Sequence, residues 1–205
     1  MAFIRTTEPA QADSVVTAMY LRQQSSWGYV PNYAKVFSHR PEVLARWGQL
    51  LAEIKRPMDK RRFELVTFAA AHELGNSSCT LAHGRKLREF LGDDDIVAIA
   101  AQRLPATLSA AEQAMVRFAR QVVRDAAAVT SAQVDELKAH GFSDAEVFDI
   151  AATAAGRAFF AKLLDALGVE PDSPFLALDA ALREPLLVGR PIDERPCVTM
   201  AVPAA

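Results

Sequence analysis

The chain has 205 residues, of which 51% are hydrophobic and 23% charged, with a formal net charge of -2. These values suit one moderately large folded domain or two small ones, and they argue against a disordered chain. The balance supplies no broad positive field for nucleic acid or a membrane surface, and two cysteines, Cys79 and Cys197, are too few for a disulfide scaffold or a four-cysteine zinc site.

The N-terminal stretch has no basic segment followed by an apolar one, so it does not read as a secretory signal. The most apolar run, ATAAGRAFFAKLL, is interrupted by Arg157 and Lys162 and falls short of a membrane span. A cytoplasmic protein with free thiols is the expectation. The 38 alanines favour helix wherever no stronger signal intervenes. From Pro9 to about Trp27, Val15, Val16, Met19 and Tyr20 recur at helical spacing, and Gly28, Pro31 and Asn32 end the element. A short helical segment follows over Tyr33 to Phe37. Pro41 opens a helix with Val43, Leu44, Trp47, Leu50, Leu51 and Ile54 on one face, closed by Pro57. Phe63, Val66, Ala70 and Leu74 mark the next helix, over 59–74, with Gly75 as its C-cap. The run Asn76-Ser77-Ser78 caps a further helix through Leu87 to Leu91. A shorter one covers Ile96 to Ala101, before a turn at Pro105. Ser109 with Glu112 forms a capping box and opens a helix to about Ala128; Thr130 starts another that ends at Gly141. Ser143 with Glu146 repeats the box and opens a helix to about Leu167, stopped by Gly168. The expectation is an all-α chain of eight or nine helices, with a helical domain over 1–170 and a proline-rich tail over 171–205 carrying one short helix near Ala177 to Arg183.

Cys79 falls two or three residues inside the helix that begins after Gly75. There the unsatisfied N–H groups and the positive helix end favour a thiolate. His83 follows one turn later on the same face, so thiol and imidazole can exchange a proton directly or through water. Glu64, on the preceding helix and flanked by Phe63, Leu65 and Val66, can approach His83 if the two helices form a hairpin, fixing its tautomer. The competing readings are a buried inert thiol for Cys79 and a solvated helix residue for Glu64.

These residues carry a resemblance. The stretch FELVTFAAAHELGNSSCTLAHGRKL resembles the AhpD-like alkylhydroperoxidase and carboxymuconolactone decarboxylase superfamily, whose peroxidase motif is a glutamate, eleven residues, a cysteine, two residues, a second cysteine, three residues and a histidine. Glu64, Cys79 and His83 match the glutamate, the second cysteine and the histidine. YVPNYAKVFSHRPEVLARWGQL and VTSAQVDELKAHGFSDAEVFDIAATAAGRAFFAKLLDALGV extend the likeness, so that it covers about residues 20–170. The departure is Asn76, which stands where the family's peroxidases have the first cysteine; the histidine that some members place before the reactive cysteine is Ser78 here. The resemblance implies that Cys79 keeps the place of the peroxidatic thiol, with Glu64 and His83 as its proton relay, while the adjacent resolving thiol is missing.

Three chemistries follow. Cys79 acts as a one-cysteine peroxidase whose sulfenic acid is reduced by an external thiol; or Cys197 resolves it from the tail; or the pocket acts on a lactone or organic acid by acid–base chemistry. A helical homo-oligomer with a vestigial or oxidation-sensing Cys79 is the non-enzymatic reading, and self-association is implied by the resemblance in any case. No cofactor is expected. A metal at Cys79, His83 and Glu64 is chemically open, but the relay accounts for the same residues without one, and His72-Glu73 lacks the second histidine of a zincin helix. His39 and His140 are expected to face solvent, and Lys60, Arg61, Arg62, Arg85, Lys86 and Arg88 to form solvated faces, one arginine being a candidate for attracting an acidic substrate. Trp27, Tyr29, Tyr33 and Trp47 are read as core or subunit contact, with a pocket lining as the alternative.

Overall fold

Capping chemistry sets most of the helix starts. The structure, a computed structural model, describes residues 2–201. Among these, ten α-helices run in order: α1 Ser14–Trp27, α2 Asn32–Val36, α3 Pro41–Lys55, α4 Lys60–Glu73, α5 Ser77–Leu87, α6 Asp93–Ala100, α7 Ala110–Asp125, α8 Ser131–Ala139, α9 Asp144–Ala166 and α10 Ala180–Leu186. Asp13 and Asn76 accept backbone N–H groups at the starts of α1 and α5, and Ser109 and Ser143 complete the expected capping boxes of α7 and α9. The helices exceed the expected eight or nine because both short segments, α2 and α10, are formed.

Several boundaries move for local reasons. Pro9–Gln11 is a separate 3-10 turn, because Asp13 takes an extended conformation and caps α1 from there. Asp125 ends α7 and caps a 3-10 turn over Ala126–Ala128. In the tail a 3-10 turn spans Ser173–Ala177 and α10 starts only after Asp179, whose side chain accepts the Ala181 N–H. The one β-type pairing described is an isolated antiparallel bridge between Val30 and Val198. No helix among the described residues is long and apolar enough to cross a membrane.

Helix α4 is the axis of the molecule, packed against α5, α7 and α9, and it is buried continuously from Phe63 to Ala71. One apolar cluster joins α4 to α5, α6, α7, α9 and the tail residues Phe175, Leu178, Leu182 and Leu186. A second joins α1, α2 and α3 to Phe160 and Leu164 of α9, and it includes Cys79. The two clusters meet at the start of α5. Gly84 of α5 lets α10 close on that helix, since a Cβ there would lie 2.3 Å from Leu186 Cδ2.

Candidate active site

Gly75, at φ 72°, turns the chain out of α4 in the left-handed conformation that glycine adopts without strain. Asn76 then fixes the start of α5 twice: its Oδ1 accepts the Cys79 N–H at 2.8 Å, and its Nδ2 donates to the Ala161 carbonyl of α9 at 3.3 Å. Cys79 is therefore held in the first turn of α5, 4% exposed, against α9. There Arg157 Nη1 donates to its Sγ at 3.6 Å. The guanidinium also lies 5.5 Å and 5.7 Å from the Trp47 and Phe160 ring centroids, and those rings stack on each other at 4.2 Å.

One turn along α5, His83 Nδ1 donates to Glu64 Oε2 at 2.5 Å. Glu64 is fully buried, and its Oε1 has no hydrogen-bond partner, with Lys86 Nζ 3.8 Å away. Burial pushes the Glu64 carboxyl up, but the His83 hydrogen bond and the charge of Lys86 outweigh it and hold the group below its ordinary value. Burial and Arg157 drive the His83 ring down to about 4 against the pull of Glu64. At neutral pH the pair is thus a carboxylate and a neutral imidazole with its proton on Nδ1, which leaves Nε2 as a proton acceptor. Among the described residues no hydrogen bond joins Cys79 to His83. Burial pushes the Cys79 thiol up, while the charge and hydrogen bond of Arg157 pull it down. Burial outweighs that pull, and the thiol stands above its ordinary value.

Cys79, His83, Lys86 and Arg157 share a cavity of about 290 Å³ whose walls include Trp27, Tyr33, Trp47, Phe63, Phe160 and Phe175. Asp172 lies in the same wall; burial pushes its carboxyl up to about 6, although it accepts the Asn32 N–H at 2.7 Å. Of the four aromatic residues singled out in the sequence, Trp27, Tyr33 and Trp47 line this cavity, whereas Tyr29 packs behind Trp27 with centroids 6.2 Å apart.

The remaining candidates separate. Cys197 is half-buried in the tail with its sulfur 3.5 Å from Ser173 Oγ, and both cysteines are free. His39 and His140 are exposed, His39 Nε2 lying 2.7 Å from the Arg5 carbonyl oxygen. The basic runs are not uniform solvated faces. Arg61 is tied to Glu112 at 2.6 Å and to the Phe90 carbonyl, Arg85 covers the Trp27 and Phe175 rings, and Lys86 reaches the cavity. Among the described residues no three His, Cys, Asp or Glu side chains are grouped as metal ligands. Sequence reasoning missed Arg157 and Asp172 as site residues. The available signal for Arg157 was its phase in α9, where Ile150, Thr153, Ala154, Arg157, Phe160, Ala161 and Leu164 form one inward stripe.

Residues 41–121 match the sequence model of the Carboxymuconolactone decarboxylase family. The fold is shared with the AhpD core of an uncharacterized peroxidase-related protein from Ralstonia eutropha JMP134, 24% identical over 86% of this chain and 95% of that one, TM-score 0.76. It is shared too with a peroxidase-related protein from Silicibacter sp. TM1040, 20% identical over 84% and 94%, TM-score 0.68. A third is the debrominase Bmp8 in complex with 2,3,4-tribromopyrrole, 17% identical over 90% and 95%, TM-score 0.69. No curated protein matches the chain. Over residues 41–121 the chain is thus similar to the Carboxymuconolactone decarboxylase family, and it shares its all-α fold with the peroxidase-related proteins.

Proposed function

We propose that the protein is a one-cysteine thiol peroxidase that reduces an organic hydroperoxide through Cys79. One observation carries this reading: the Cys79 sulfur lies in the wall of an apolar cavity that also presents His83, itself oriented by Glu64. The thiol proton passes to His83 Nε2, directly or through a water. The sulfur attacks the terminal oxygen of the hydroperoxide, the O–O bond breaks, and the alcohol leaves with the proton from His83. Cys79 is left as a sulfenic acid. With Asn76 in place of a neighbouring cysteine, an external thiol condenses with the sulfenic acid and releases water, and a second thiol frees Cys79 as the disulfide departs. A cavity of about 150 Å³ holds benzene, so the larger space here suits an aryl or short alkyl body.

Consumption of cumene hydroperoxide with a monothiol reductant tests the reading. Cys79→Ser abolishes turnover, and His83→Ala slows it by roughly 100-fold or more. Loss of turnover in Cys197→Ser with the first oxidation intact would make the tail cysteine the resolving thiol. Turnover that survives Cys79→Ser overturns the Cys79 mechanism, and the absence of any reaction with peroxide leaves His83 acting by acid–base chemistry on a lactone or organic acid.

The aromatic walls, and the fold shared with a debrominase bound to a brominated pyrrole, favour a second reading. In it the Cys79 sulfur takes a halogen from an aromatic ring, a proton replaces the halogen on the ring, and external thiols then release halide. Bromide release from a bromopyrrole by the wild type but not by Cys79→Ser distinguishes this chemistry from peroxide reduction.

A further inference from the structure

Arg157 presents a charge that the fold does not balance. It is 4% exposed on the inward stripe of α9, and among the described residues it has no ion-pair partner; its Nε has no hydrogen-bond partner. Removing a guanidinium from water is costly unless an anion and acceptors replace the solvent, and arginine cannot escape by losing its proton. The nearby carboxylate of Glu64 is committed to His83, with Lys86 beyond it. The Trp47 and Phe160 rings offset part of the cost, and Trp47 is itself fixed by donating its Nε1–H to the Gly156 carbonyl at 3.2 Å. What Arg157 Nη1 touches is the Cys79 sulfur. A neutral thiol is a weak acceptor; a thiolate is a strong one and carries the missing charge.

We propose that Arg157 is a further catalytic residue, the permanent counter-ion of the Cys79 thiolate. This rests on the reading of Cys79 as the reacting thiol and divides the labour at the site. His83, neutral, receives the thiol proton and returns it to the leaving alcohol. Arg157, always charged, holds the sulfur's negative charge until that charge is consumed in the new S–O bond. Besides Arg157, Tyr33 of α2 and Asp165 of α9 act on the sulfur; Lys55 of α3, His83 and Lys86 of α5, Glu170 and Asp172 share its cavity, and Glu64 of α4 lies behind His83. Arg157 is the only cation among the described residues with a hydrogen bond to the sulfur.

The test is made in a Cys197→Ser background, so that one thiol reacts. Iodoacetamide alkylation of Cys79 is followed from pH 5 to 10, with thermal melting of each variant. Arg157→Met raises the alkylation inflection by about one pH unit or more, which slows alkylation at pH 7 by about tenfold, while Arg157→Lys keeps most of the wild-type rate. A folded Arg157→Met protein with an unmoved inflection overturns the proposal. A second measurement needs no change at Arg157. Iodoacetate leaves a carboxylate on Cys79, and iodoacetamide leaves a neutral amide of nearly the same size. With Arg157 present the carboxylate adduct melts at the higher temperature; equal melting of the two adducts overturns the proposal. Neither readout uses peroxide, so a protein that ignores hydroperoxides but passes both tests refutes the peroxidase reading and leaves Arg157 as the thiolate's partner.

Discussion

His83 and Asp172 line the same cavity and titrate in opposite directions. Burial and Arg157 hold the imidazole down at about 4, so below its ordinary 6.5 the unfolded chain takes up a proton that the folded one refuses. The stability His83 contributes is complete above about pH 6.5 and is lost as the pH falls towards 4. Burial holds the Asp172 carboxyl up at about 6, so the folded chain takes up a proton before the unfolded one does, and stability grows as the pH falls from 6 towards 3.8. Each effect amounts to roughly 3 kcal/mol, and the two nearly cancel between pH 6 and 4. Urea melts at pH 7, 5.5 and 4 separate them: Asp172→Asn loses stability steeply on acidification, whereas His83→Gln gains. Parallel curves in the two variants would refute the assignment. Cys79, His83 and Glu64 were legible in the sequence because they sit on consecutive helices at fixed spacing. Asp172 was not, because its meaning depends on Asn32, whose N–H it accepts across 140 residues of chain. Arg157 depends in the same way on a thiol 78 residues distant.

The start of α5 shows how one cap sets both an element and a site. Asn76 follows the turn at Leu74 and Gly75, accepts the Cys79 N–H on its Oδ1, and ties the start of α5 to α9 through the Ala161 carbonyl. Asn76→Ala removes a cap worth about 1 kcal/mol and the hydrogen bond to α9, worth a similar amount, so a loss of about 2 kcal/mol is expected in urea unfolding. Asn76→Ser keeps the cap, loses the tie, and falls between. Equal stability of all three proteins would show that α5 does not depend on this residue. Cap chemistry is also why helix starts were easier to read than helix ends. Ser109 with Glu112 and Ser143 with Glu146 name their helices outright, because a side chain and a backbone N–H three residues apart satisfy each other locally. Helix ends carry weaker marks: the apolar pattern runs on from Leu87 to Leu91, yet α5 stops at Leu87 and the chain turns before Gly92. Pro9 looked like a helix start, but Asp13, four residues later, is the residue whose side chain reaches a free N–H.

At the scale of the whole molecule, the C-terminal segment divides into two parts that its proline-rich composition hid. Phe175, Leu178, Leu182, Leu186 and Ile192 are buried in the larger apolar cluster, and Asp172 and Phe175 complete the cavity wall. Gly189 donates its N–H to Ser77 Oγ at 2.8 Å, so near the start of α5 that a Cβ at 189 would meet the Gly75 carbonyl at 2.1 Å. Beyond Arg195 the hold is different in kind: the Val30–Val198 bridge and two hydrogen bonds between Gln24 and the Met200 backbone, with little apolar burial. The leucine spacing of 178, 182 and 186 is the legible sign of a buried face, but the prolines around it make the segment read as a tail. Each of the five buried side chains contributes about 1.5–3 kcal/mol, and their total is of the same order as the roughly 5–15 kcal/mol that keeps a domain folded. A chain ended after Pro171 is therefore expected to lose cooperative unfolding altogether, while one ended after Arg195 melts cooperatively within a few degrees of the full-length protein. Thermal denaturation followed by circular dichroism reads both. A cooperative melt from the shorter chain at an unchanged temperature would mean that α10 and its neighbours only cover the core, and that α4, α5 and α9 hold the cavity together without them.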